Sequence, residues 1–163
     1  MNLVILKIQI IYTAIMSGMM LMYIITLGSY FNYILKINLL SGFQDYSFFR
    51  SNTKVKRNYF VILVGQIVVS IISLILNCNS GLMPLCFNII VPIIMLMFHV
   101  LTGFGKVENL VNSGQKVEMN EVKEYVRFNI PLHITYFTLH LISTLLLLNL
   151  FYLIIYKYFI KIK

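Results

Sequence analysis

"PLHITYFTLHLISTLLLLNLFYLIIY", residues 131–156, contains no charged side chain. At about 1.5 Å of rise per residue, a helix of this length crosses the ~30 Å hydrocarbon core of a bilayer with length to spare. Backbone N–H and C=O groups in lipid must be satisfied within the segment, so the stretch reads as a transmembrane helix. The alternating ten-residue strands of a membrane barrel are absent. Two imidazoles, His133 and His140, lie inside it on one helical face, at a depth where polar groups are costly.

Working outward, three more apolar runs appear, and the four predicted spans cover about 8–35, 59–76, 82–104 and 131–156. The composition agrees: 60% of residues are hydrophobic and only 11% are charged. Mean hydropathy is +0.87. Soluble domains carry about a quarter charged residues, so lipid is the expected solvent of this chain. The prediction is an all-α integral membrane four-helix bundle, with residues 1–163 forming one domain. The N-terminal stretch "MNLVILKIQIIYTAIMSGMMLM" has one early basic residue, Lys7, and no A-x-A-like site, so it reads as a retained first span.

The net charge of +8 sits between and after the apolar runs. Anionic headgroups and topology explain it better than nucleic acid, which is not expected as a partner. Connections 36–58 and 105–130 hold nine Lys and Arg, against four in the N-terminus, the turn at 77–81 and the tail. The positive-inside rule places both long connections in the cytoplasm and both termini outside, in a bacterial-type cell membrane. Tyr12, Tyr59, Tyr152, Tyr156 and Tyr158 fall where interfacial rings belong.

Each span carries a polar stripe at helical spacing. The second holds Gln66, Ser70, Ser73 and Asn77; the third Asn88, Pro92, His99 and Thr102. The fourth holds Asn129, His133, Tyr136, His140 and Thr144. The first is rich in Tyr23, Thr26, Tyr30 and Tyr33, with Ser17 and Gly18 permitting close approach. Polar groups avoid lipid, so these stripes are expected to converge on a common interior. There they act as interhelical glue or line a pocket for a polar ligand, a hydrophobic small molecule of quinone or polyketide-like kind, or water. Ligand-pocket candidates are His133, His140, His99, Asn129, Tyr136, Gln66 and Tyr23.

An imidazole can be buried neutral, ligate a metal or haem, or move protons. His133 and His140 are about 10 Å apart along one helix, too far to share one ion, so each would need a partner such as His99 or Glu108. No HExxH, CxxCH, nucleophile elbow, P-loop or dinucleotide fingerprint appears, and no metal or cofactor is expected. Cys78 and Cys86 have the wrong spacing for a CxxC redox centre and read as free thiols, with a disulfide across the short turn in an oxidising compartment as the alternative.

Three segments resemble the anthrone-oxygenase-like family of small four-helix membrane proteins. They are "SGFQDYSFFRSN" (41–52), "LTGFGKVENLVNSG" (101–114) and "YVRFNIPLH" (125–133), the last with Asn129 in the family's Asn position. Tyr125 and Phe128 stand where tryptophans are often seen, and "IPLH" replaces a basic residue. The resemblance implies oxygenation of an aromatic polyketide-like substrate without metal or flavin. His133 or His140, held by Tyr136 or Asn129, would then be the base. The other reading is a non-enzymatic accessory or immunity-type subunit packing against a partner membrane protein, or against a second copy. Its support is the small size, the Tyr- and Met-rich surface and the absence of a catalytic motif.

Overall fold

A computed structural model describes residues 2–103, 105–106 and 118–160. Among them every regular element is helical: α1 (Leu3–Ile25), α2 (Leu27–Lys36), α3 (Leu40–Asn52), α4 (Val55–Asn77), α5 (Leu82–Leu101) and α6 (Met119–Ile160). Four candidate spans result, Leu3–Lys36, Arg57–Asn77, Leu82–Leu101 and Met119–Tyr158. The all-α bundle expected from hydropathy is therefore present. The 42 residues of α6 extend about 60 Å, twice the hydrocarbon thickness. Its early turns, with Glu121, Lys123, Glu124 and Arg127, must lie outside the lipid.

The first span is broken, which the sequence reading did not foresee. Thr26 leaves helical geometry at φ −117°, ψ −88°, and separates α1 from α2. Side chains repair the break, as lipid demands. The Thr26 hydroxyl donates to the Met22 carbonyl, and Ser29 Oγ donates to the Ile24 carbonyl at 2.6 Å. Helix α2 ends on Asn38, at φ 58°. Leu39 N–H returns to Ile34 O at 2.8 Å and Asn38 N–H to Leu35 O at 3.2 Å, a Schellman cap with Asn in the usual glycine place. The chain then forms α3, where the sequence reading had only a connection.

Three of the ends are tied. Asn2 caps α1 through Oδ1, accepting from Val4 and Ile5 N–H, and its own N–H donates to Asn77 Oδ1 at 2.7 Å. The start of α1 and the end of α4 thus share one face of the membrane. Gly81, before α5, lies so close to Leu150 that an added Cβ would sit 2.6 Å from Leu150 Cδ1. This brings α6 to the same end. Pro84 falls in the first turn of α5, where its missing N–H costs nothing, while Pro92 and Pro131 are carried within α5 and α6. The third span ends at Leu101 rather than 104, while the last helix begins at Met119, ahead of the membrane segment as the helical spacing of 118–128 suggests, and runs on through Pro131.

The spans form a closed ring in which α1 touches α4, α4 touches α5, α5 touches α6 and α6 returns to α1. An apolar layer of Leu6, Leu85, Leu147, Leu150 and Ile154 fills the end near Asn2. Phe31, Ile34, Leu35, Met95, Val122, Tyr125, Leu132 and Tyr136 fill the other end, with Tyr46 of α3 packed on Phe31 at 4.9 Å between ring centroids. The outer surface is apolar, with Ile75 68% exposed and Val100 76%, as a lipid-facing shell requires.

Candidate functional site

Between and beside these layers the polar stripes meet in three hydrogen-bonded groups. The first centres on Asn88 of α5, which is sealed from the surface. Its Nδ2 donates to Thr13 Oγ1 and to Ser143 Oγ, both at 2.8 Å, and its Oδ1 accepts from Ser70 Oγ at 2.6 Å. One amide thereby joins α5 to α1, α6 and α4. Thr13 in turn spends its hydroxyl proton on the Gln9 carbonyl at 2.8 Å.

The second group sits opposite the break in the first span. Asn129 Nδ2 donates to the Gly28 carbonyl at 3.0 Å and to Asn32 Oδ1 at 2.9 Å, while its Oδ1 accepts from the Tyr23 hydroxyl at 2.9 Å. His133, one turn along α6, donates Nδ1–H to the Asn129 carbonyl at 2.7 Å. Its ring stacks on Tyr23 at 3.9 Å and meets the edge of Tyr136 at 5.6 Å. The Tyr136 hydroxyl donates to the Met95 carbonyl at 3.0 Å, tying α6 to α5. Gly28 permits this closeness, since a Cβ there would lie 2.6 Å from the Tyr23 ring.

The third group crosses the ring from α6 to α4. His140 is wholly buried, with Nδ1–H donating to the Tyr136 carbonyl at 2.9 Å and Nε2 lying 3.3 Å from Gln66 Oε1. In the neutral ring that Nε2 carries a lone pair and needs a donor. The Gln66 amide must then turn over to present its NH₂.

Of the seven pocket candidates, Tyr23, Asn129, His133 and Tyr136 come together, and His140 pairs with Gln66 in a separate group. His99 is half-buried at the end of α5, close enough to His133 for the two rings to interact electrostatically, with Nε2 3.6 Å from where a Gly105 Cβ would be. Glu108, the other partner considered for a histidine, lies outside the described residues. Among the described residues no three His, Cys, Asp or Glu side chains gather as a metal site would require. Both cysteines are free thiols, Cys78 exposed and Cys86 half-buried.

The first-span stripe needs correction. Thr26, Tyr30 and Tyr33 are exposed, and the interior face of α1 is Gln9, Thr13 and Ser17. Those three recur every fourth residue, the signal that tyrosines drew attention from. Beyond the end of α5 a recess of about 50 Å³ is lined by Lys106, Glu121, Glu124, Tyr125 and Phe128, among others. Lys106 Nζ lies 3.0 Å from Glu121 Oε1, and that hydrogen bond raises the lysine pKa above its ordinary value.

Comparison of the chain with protein-family models, with characterised proteins and with solved structures finds no match.

Proposed function

We propose that the protein is a non-enzymatic membrane subunit that packs against a transmembrane helix of a partner protein. An oxygenase calls for a histidine Nε2 turned toward substrate; both α6 histidines donate Nδ1–H to carbonyls one turn back, and the Nε2 of the wholly buried His140 faces Gln66 at 3.3 Å. The polar interior is largely engaged with itself.

The observation that carries the reading is Gly18. A helix-interior glycine is about 1 kcal/mol worse than alanine in soluble hosts, so it is usually explained by something close against it. A Cβ at Gly18 would meet nothing within 4 Å. Ala14, one turn earlier, is exposed too, so α1 presents a small-x-x-x-small notch outward, the geometry through which membrane helices approach closely. Gly18→Leu adds bulk outside the fold. The expected result is an unchanged unfolding midpoint in detergent, with loss of a discrete higher-mass species that the wild-type chain forms in its native membrane. A wild-type chain that runs there as a monomer refutes the reading.

The same proposal sets the protein in the cell membrane with connections 36–58 and 105–130 in the cytoplasm, on the strength of the basic residues they hold. Cys78 would then face outward. A membrane-impermeant maleimide should label it on intact cells, and labelling only after permeabilisation reverses the orientation.

A further inference from the structure

Gln9 and Gln66 are almost completely buried, yet among the described residues both amide atoms of Gln9 and Nε2 of Gln66 have no hydrogen-bond partner. Their neighbours in the Asn88 group have little to offer. Thr13 gives its proton to the Gln9 backbone, Ser70 gives its proton to Asn88, and both Asn88 N–H groups are taken. Turning the Gln66 amide to serve neutral His140 only moves the deficit from Nε2 to Oε1.

Gln9 lies one turn from Thr13 on α1, and Gln66 one turn from Ser70 on α4. Thr13 and Ser70 both bond to Asn88, and the two helices run in opposite directions, as the Asn2–Asn77 pair requires. The two amides therefore flank the Asn88 group on opposite sides in depth. Gln9, fully buried, needs an acceptor for its NH₂ and a donor for its C=O within reach of one amide. Water is both at once, whereas a ketone or ether oxygen would leave the Gln9 carbonyl unmet.

We propose that Gln9 and Gln66 each hold an internal water, so that the bundle carries a hydrated belt above and below Asn88, with His140 facing one of the two waters through Gln66. The site takes a neutral molecule of water size that donates and accepts. It stands whether or not a partner is bound at Gly18.

The test uses the full chain in lipid bilayers, with glutamine and asparagine side-chain amides labelled with ¹⁵N, and measures magnetisation transfer from water in the solid-state NMR spectrum. Gln9→Met and Gln66→Met assign the resonances. Transfer to both glutamine amides should be several-fold faster than to Asn88 and Asn129, whose N–H groups are spent on protein. In unfolding, Gln9→Met should lower the midpoint, because it removes a satisfied amide. Gln9 and Gln66 amides as dark to water as Asn88 overturn the proposal. So does a Gln9→Met midpoint at or above wild type, or an organic molecule extracted in stoichiometric amount from protein whose Gln9 and Gln66 amides are dark. The wild-type spectrum decides even if a variant does not fold.

Discussion

Replacing Asn88 with leucine keeps much of the side-chain volume and removes the amide that joins all four spans. Interhelical hydrogen bonds in membranes average about 0.6 kcal/mol and reach about 1.7, so losing three predicts roughly 2 kcal/mol, with a ceiling near 5. The lower figure is favoured by the partners. Ser70, Ser143 and Thr13 sit mid-helix, and a stranded hydroxyl there can turn to the carbonyl four residues back, as Thr13 already does. Unfolding by SDS titration in mixed micelles, followed by circular dichroism, measures the loss. The wild-type chain is the reference. Combining Asn88→Leu with Ser143→Ala should recover a coupling of about 0.6 kcal/mol. If Asn88→Leu unfolds within about 0.3 kcal/mol of wild type, the Asn88 group holds nothing together and the reasoning fails.

Gly28→Ala places a methyl 2.6 Å from the Tyr23 ring and 3.1 Å from Ile130 Cδ1. With Tyr23 held by His133 and Asn129, the expected loss is about 1–3 kcal/mol, relieved when Tyr23→Ala is introduced in the same chain. The Lys106–Glu121 pair is at the surface, so Lys106→Met should leave the unfolding midpoint at pH 7 unchanged. Because the folded-state lysine pKa is raised, any contribution is fully present below the ordinary lysine range and is lost only as pH rises through the higher value. A wild-type midpoint that fell between pH 6 and 8 in step with loss of this pair would contradict that sign.

The spans were legible because lipid admits so few backbone solutions, and apolar length alone decides between them. The stripes on α4 and α6 were legible for a related reason. Ser, Gln, Asn and His have no business facing acyl chains, so a period near 3.6 identifies the inward face. Tyrosine breaks that logic, being at home both in a core and at an interface. Tyr30 and Tyr33 are outside, and the break at Thr26 ends the register on which their assignment relied. Nothing as loud as proline marks that break. It depends on Thr26 and Ser29 bonding to the preceding turns and on Asn129 taking the Gly28 carbonyl, a contact 101 residues away in sequence.

Burial of apolar surface gives membrane helices little reason to prefer one another over lipid tails. A layer such as Leu6, Leu85, Leu147 and Leu150 would pack nearly as well after a slip of one turn. Asn88 and Asn129 forbid the slip. Each has two donors and an acceptor, all three matched to groups on other helices, so sliding or rotating any one span strands several polar atoms together. Asn88 fixes the four spans relative to each other, and Asn129 fixes the broken half of the first span on α6. The polar groups therefore specify the arrangement, while the leucines fill it. The histidines belong to that specification: His133 braces Tyr23 against the break, and His140 reaches across the ring to Gln66.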